Sequence, residues 1–309
     1  MQIVLHLGAH RTATTSLQRL LGDNPAALRQ AGLAYWGPTR LRAGLFDGLY
    51  GAETVLPPRR AGRPARRAAL QAEMAAQGGT TRLLVSDEDM LGTMRLLTQA
   101  QRLYPGAGAR VARFAEGFAA HEVTLGLSIR CYDAFWASVL GWRMQRGGPL
   151  PLHALCDRLV TQPRRWRHVI ADLAQALPQA RLLVWTHEAM AGQPAVMASR
   201  LTCCELALRG ADRWCRPGPS LAALRAYLDD IGADPALARG TAGRFMPFGP
   251  HHREAMRAQY AEDLAWLAAG ADGLADYIDA AGARTLRPTG HERGPTDDGH
   301  TAWRLARSG

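Results

Sequence analysis

Ile3-Val-Leu-His-Leu-Gly-Ala-His-Arg-Thr-Ala-Thr-Thr-Ser-Leu17 opens the chain with an apolar run that stops at Gly8. A short polar loop follows, and Leu17, Leu20 and Leu21 then take up helical spacing. Strand, tight loop and helix N-terminus in this order form a phosphate cradle, because free backbone N–H groups and the helix dipole favour an anion. Thr14, Thr15 and Ser16 add hydroxyls, and Arg11 adds a fixed positive charge. The plainer reading is an ordinary βα unit in which Thr14 or Thr15 caps the helix. The ATP/GTP form of the motif, G-x-x-x-x-G-K-[ST], fits poorly. Ala13 stands where the second Gly belongs and Thr14 where the Lys belongs.

The chain has 309 residues, 47% hydrophobic and 21% charged, enough for one sizeable core. All of its basic residues other than histidine are Arg, which with heavy Ala and Gly use suggests a GC-rich, bacterial coding sequence. The net charge of +10 suits a polyanionic ligand, but scattered Arg on a basic surface accounts for it equally. There is no nucleic-acid motif, so nucleic acid is not an expected partner. Cys131, Cys156, Cys203, Cys204 and Cys215 form no C-x-x-C pair and read as reduced thiols in a cytoplasmic protein. Neither a signal peptide nor a bilayer-length apolar run is expected, and no metal is.

The pattern predicts strands at 2–7, 82–86, 123–129 and 181–185. It predicts helices at about 14–21, from Pro25 to near Gly32, and at 64–77, 107–120, 132–145 and 164–176. Further helices are expected near 193–207 and 220–230, with long amphipathic helices over 251–281. Residues 36–62 are rich in Gly, Pro and Arg and read as irregular, within an insertion spanning about 36–80. The expected fold class is α/β, three-layered, with a central parallel sheet and a P-loop-like loop after the first strand. Residues 1–286 form one domain, and 287–309 are expected to be a flexible tail. Ligands of such sheets sit beyond the carboxyl ends of the strands, so the residues just after each strand should carry the chemistry.

His10-Arg11-Thr12-Ala13-Thr14-Thr15-Ser16-Leu17 resembles the 5′-phosphosulfate loop of sulfotransferases, which commonly reads x-K-[ST]-G-T-T-x-L. Arg11 replaces Lys and Ala13 replaces Gly. Arg130 ends the third strand and Ser138 follows eight residues on. Read alone, Arg130 pairs with Asp133 and Ser138 merely packs; in the family, an Arg and a Ser at this spacing bind the donor's 3′-phosphate. Arg239-Gly-Thr-Ala-Gly-Arg-Phe245 resembles the family's late R-K-G-x-x-G-x-W loop, which would make Arg239 and Gly240 further 3′-phosphate ligands. A plain surface loop fits this segment as well.

The resemblance implies an enzyme that moves a sulfuryl group from 3′-phosphoadenylyl sulfate (PAPS) to a hydroxyl or amine acceptor. The acceptor would be a glycan, glycolipid or small metabolite, and adenosine 3′,5′-bisphosphate (PAP) would be the product. Residues 10–16 would hold the 5′-phosphosulfate, with Arg11 also stabilising the leaving oxygen. The carboxylates after the second strand, Glu88 first and Asp87 second, suit the general base that an attacking hydroxyl needs. An acidic N-cap cluster explains them too. His6 is expected to be buried and satisfied, Glu188 structural, Trp136 and Trp142 core residues, and Arg59, Arg60, Arg66 and Arg67 a solvated face. His251-His252 opens a helix and finds no metal-ligand partner by spacing. The alternatives are a P-loop nucleotide kinase or NTPase, with 82–88 as its Walker-B strand, and a catalytically inactive nucleotide-binding protein. The sequence gives no oligomeric state.

Overall fold

The computed structural model describes residues 1–46, 49–50, 58–213, 215, 218–279 and 284–285. The expected tail at 287–309 and part of the 36–80 insertion lie outside them.

The strands are β1 (Gln2–His6), β2 (Leu33–Trp36), β3 (Arg82–Ser86), β4 (Glu122–Ile129), β5 (Arg181–Thr186), β6 (Gly240–Thr241), β7 (Arg244–Phe245), β8 (Asp276–Ile278) and β9 (Arg284–Thr285). The helices begin with α1 (Thr14–Asp23), α2 (Pro25–Gln30), α3 (Pro38–Arg40), α4 (Pro58–Gln77), α5 (Met94–Ala100), α6 (Ala107–Ala115) and α7 (Tyr132–Met144). They continue with α8 (His153–Thr161), α9 (Trp166–Ala176), α10 (His187–Met190), α11 (Pro194–Thr202), α12 (Leu221–Asp230) and α13 (Pro250–Ala268). The main sheet runs β2-β3-β1-β4-β5-β8, all parallel, with β9 antiparallel on the outer edge of β8. Strands β6 and β7 form a separate hairpin.

The sheet is buried on both faces because its strands are almost continuously apolar. Successive side chains alternate across β1: Ile3 and Leu5 enter one core cluster and Val4 the other. The larger cluster takes in Phe114, Phe118, Phe135, Trp136 and Trp166 under the α6, α7 and α9 side. The smaller gathers Leu17, Leu21, Met197 and Leu201 from α1 and α11. Helix, sheet and helix make the three layers expected from the sequence.

The chain leaves β1 for one side of the sheet, forming β2 and β3, then crosses β1 to form β4, β5 and β8. Strand β1 is therefore the topological switch point, and a crevice opens beyond its carboxyl end.

Two strands of the parallel sheet escape the sequence pattern, as do the hairpin strands β6 and β7 and the edge strand β9. Strands β2 and β8 are four and three residues long, too short to show a period. Strand β8 lies inside the stretch expected to be helical to residue 281. The helix stops at Ala268, and Gly270, at φ 101°, turns the chain out of it. Helix α6 likewise ends at Ala115 in a 3₁₀ turn, and α11 ends at Thr202, where Cys203 takes φ 51°. Helices α5, α8 and α10 are additional to the expected set. Within the insertion, α3 continues into a π-helical turn, Leu41–Leu45, so this part is not irregular.

Candidate functional site

A cavity of about 720 Å³ occupies the crevice beyond the carboxyl ends of β1, β3, β4 and β5. Each of these strand ends supplies part of its lining. The first supplies the loop between β1 and α1, wound through three left-handed residues: Gly8 (φ 56°), Arg11 (φ 64°) and Ala13 (φ 68°). A Cβ on Gly8 would stand 2.2 Å from Thr14 Cγ2, so only glycine fits.

The loop is braced from within. Thr12 Oγ1 donates to the Ala9 carbonyl at 2.7 Å and accepts from the Ala9 N–H at 3.2 Å. His10 is buried, with its N–H donating to the Tyr104 hydroxyl at 2.8 Å and its Nε2 2.9 Å from Asp89 Oδ1. Buried beneath the loop, His6 pairs through Nδ1 with Ser86 Oγ at 2.8 Å. Its Nε2 has no partner among the described residues, so the expectation that it is satisfied holds for one nitrogen only. Burial lowers the His6 pKa to about 4, against a smaller opposing pull from Glu88.

The structure brings Arg11, Arg130 and Ser138 together. Arg11 Nε donates to Ser138 Oγ at 2.9 Å, and Arg130 Nη1 donates to the Arg11 carbonyl at 2.6 Å. Burial pulls the Arg130 pKa down from its usual value, and its buried Nε has no partner among the described residues. Asp133 does not take the role of Arg130's partner suggested by sequence proximity. Its carboxylate accepts from Arg257 Nε at 2.9 Å and from the Ala134 N–H at 2.7 Å.

A roof closes over this group. Cys215 donates its N–H to Ser16 Oγ at 3.1 Å, so Ser16 clasps the roof rather than facing the cavity. Gly218 packs so closely that an added Cβ would lie 3.3 Å from Arg11 Nη2. Ser220 bridges to Arg244, and both line the cavity. Here the sequence expectation needs correction. Arg239 and Gly240 stand outside the cavity lining, with Arg239 exposed and Gly240 pressed on the Arg244 backbone. The basic residue that the β6–β7 hairpin presents to the cavity is Arg244.

The two carboxylates after β3 have different fates. Asp87 is fully buried and outside the lining. It accepts a bidentate fork from Arg42, at 2.9 and 2.5 Å, a bond from the Tyr50 hydroxyl at 2.9 Å, and the Asp89 N–H at 3.0 Å. Burial raises its pKa against the pull of Arg42. With its lone pairs occupied and no path to a ligand, Asp87 does not suit a base. Glu88 lines the cavity, accepts from Gln18 Nε2 at 2.8 Å, and has Arg42 at 3.6 Å.

Sequence reasoning missed Arg42, His187 and Arg244, all in the lining. His187 stands directly after β5 and lies against the Thr12 backbone. Burial and the charge of Arg130 lower its pKa to about 4, so it is neutral at pH 7. Its position after a strand was the available signal. Glu188 is structural, accepting the Cys131 N–H and the Tyr260 hydroxyl at 3.0 and 2.9 Å. Trp136 is in the core, whereas Trp142 lines the cavity. Arg66 and Arg67 are exposed, as a solvated face requires.

No family model matches this sequence, and no curated protein matches it significantly. Among the described residues no helix is long and apolar enough to cross a membrane. The cavity joins a helix N-terminus and four guanidinium groups (Arg11, Arg42, Arg130 and Arg244) to two carboxylates, Glu88 and Asp89. Such a set can hold an anionic group and take a proton from a nucleophile.

Proposed function

We propose that this chain transfers a sulfuryl group from PAPS to a hydroxyl or amine acceptor. The observation that carries the reading is the Arg130–Arg11–Ser138 cluster at the mouth of the β1–α1 loop. Two phosphate-binding elements from separate strand ends meet there, in the order and spacing of the sulfotransferase pattern. The residues fit the donor: Arg130 Nε is buried with no partner among the described residues, and Arg11, Thr14 and Thr15 of the loop line the cavity.

When bound, the donor supplies an activated sulfuryl group on a phosphate. The loop around Arg11 to Thr15 and the N-terminus of α1 would hold the 5′ end, with Arg130, Ser138 and Arg244 taking the 3′-phosphate. Arg11 places positive charge where the leaving phosphate oxygen gains negative charge, the term that usually dominates such transfers. Glu88 takes the acceptor's proton, and its bond from Gln18 fixes the orientation of the carboxylate.

The test is a binding titration of PAP against ATP with magnesium, followed by transfer assays with labelled PAPS over a panel of glycans, glycolipids and small hydroxyl and amine compounds. Tight, metal-independent binding of PAP together with transfer to an acceptor supports the reading. Preference for Mg-ATP overturns it in favour of a nucleotide kinase or NTPase. Tight PAP binding without transfer to any acceptor leaves a nucleotide-binding protein without the catalytic function.

A further inference from the structure

Away from the cavity, His251-His252 finds the partners that sequence spacing did not offer. His153 and Asp157 lie one turn apart on α8, so their side chains share a face. His252 lies in the first turn of α13, which packs against α8. Asp157 sits between the two rings: His153 Nδ1 is 2.8 Å from its Oδ2, and His252 Nε2 is 2.9 Å from its Oδ1. One ligand atom from each residue can be chosen so that all lie within 4.8 Å of one another. The two rings lie with centroids 5.5 Å apart.

We propose that His153, Asp157 and His252 bind one divalent transition-metal ion of the zinc class, clipping α8 to the start of α13. Zinc takes imidazole nitrogen and carboxylate oxygen at about 2.0–2.2 Å, which sets ligand atoms about 3.4 Å apart around a tetrahedral ion. The three groups need only small adjustments to reach that spacing. His153 is 77% exposed and can adjust freely. His252 Nδ1 is buried with no partner among the described residues, and its Nε2 already points at the cluster, toward Asp157. Two imidazoles with one carboxylate favour zinc, cobalt, nickel or copper over magnesium or calcium, and three protein ligands leave a fourth position for water.

The clip sits at a joint of the fold. Residues 246–249 link the β6–β7 hairpin, which brings Arg244 to the cavity, to α13. Cys156 on α8 already reaches the Pro247 carbonyl at 3.8 Å, and Phe248 packs edge-on against the His252 ring. A metal ion would tie the same joint at a second point. The proposal does not depend on the sulfotransferase reading.

The experiment is calorimetric titration of the metal-stripped full chain with zinc chloride, and with magnesium chloride as a control. Wild type should bind one zinc ion per chain and no magnesium. His153→Ala and His252→Ala, on separate helices, should each weaken zinc binding at least about tenfold, since losing a ligand costs no less than losing its outer-shell partner. Cys203 is exposed and Cys204 and Cys215 are partly so, and these thiols are competing zinc ligands. The cobalt-substituted protein separates the two, because only thiolate ligation gives an intense sulfur-to-metal charge-transfer band. Its absence from the wild-type complex supports the His–Asp–His site. No zinc binding to wild type, zinc binding unchanged in both variants, or a thiolate band overturns the proposal. Circular dichroism checks that the variants fold, and the exposure of His153 makes His153→Ala the safer of the two.

Discussion

Arg11 acts through both its side chain and its backbone: Nε donates to Ser138 while the carbonyl accepts from Arg130. The guanidinium is thus anchored in the cavity before any ligand arrives, which is the preorganisation that charge stabilisation requires. Arg11→Ala should lower turnover with PAPS by about two orders of magnitude or more, the scale of losing one such donor. Initial-rate kinetics measure it, and unchanged turnover would remove Arg11 from the mechanism. His6 leads to a pH prediction. Its ordinary pKa of 6.5 falls to about 4 in the folded chain because burial disfavours the charged ring. As pH drops through that window the unfolded chain takes up a proton the folded chain refuses, so stability is lost on the acid side and recovered above pH 6.5. For this one group the loss between pH 7 and pH 5 is about 2 kcal/mol. His6→Asn keeps a polar atom near Ser86 and cannot titrate, so its urea midpoint should fall less over that range than that of wild type. Equal falls would refute the assignment to His6. Single residues also show where sequence reading stops. Arg11, Arg130 and Ser138 stand at fixed offsets from strand ends, and those offsets are written in the chain. Nothing local separates Asp87 from Glu88. The difference comes from Arg42 and Tyr50, roughly forty residues upstream, which bind one carboxylate and leave the other in the cavity.

The β1–α1 loop holds its shape through backbone conformation more than through side-chain bonds. Thr12 on Ala9 braces it from within, yet three of its residues are left-handed. Gly8 adopts that region at no steric cost; Ala13, at φ 68°, does not. A left-handed non-glycine residue costs about 1–2 kcal/mol. Glycine there would relieve the strain but gain freedom in the unfolded chain worth about 0.4–1 kcal/mol. Ala13→Gly should therefore stabilise the protein by about 0.5–1 kcal/mol, read as a higher urea midpoint with unchanged slope. Gly8→Ala is the opposite case, since the new Cβ meets Thr14 Cγ2 at 2.2 Å on a backbone only glycine favours. It should cost about 2 kcal/mol or more and weaken PAP binding together with stability. A destabilising Ala13→Gly would show that the left-handed turn is not strained. The loop was legible in the sequence because strand, breaker and helix follow one another without interruption. Strands β2 and β8 were not, since three or four residues carry too little pattern and their partners β3 and β5 decide their state. The β6–β7 hairpin was half legible. Its glycines marked a turn, but which of Arg239 and Arg244 faced the cavity depended on the bridge between Ser220 and Arg244.

At the scale of the whole molecule, the parallel sheet follows from alternating apolar runs and helical periods, whereas its switch point comes from the strand order of the folded chain; together they place the cavity without reference to any side chain in it. The cavity lining is gathered from nearly the full length of the sheet domain, from His10 to Met246. No separate piece of the chain contains the site, so an anion held there is bound by the folded state alone. Its binding free energy then adds to global stability as RT ln(1 + [L]/Kd), about 2.7 kcal/mol at a hundredfold excess over Kd. For a chain of 309 residues each kcal/mol raises the melting temperature by about 1.5 °C, so PAP at that excess should raise it by roughly 4 °C. Scattered surface Arg, which dominates the net charge of +10, predicts a different result: any polyanion would bind weakly and shift the melting temperature little. Arg130→Ala separates the two. It removes a half-buried guanidinium in the cavity wall and changes net charge by one unit. If the shift comes from the site, it should largely disappear in Arg130→Ala while inorganic pyrophosphate at equal charge gives little in either protein. A shift of equal size with PAP in wild type and Arg130→Ala would mean that the basic surface, not the cavity, binds the anion, and the proposed donor site would fall with it.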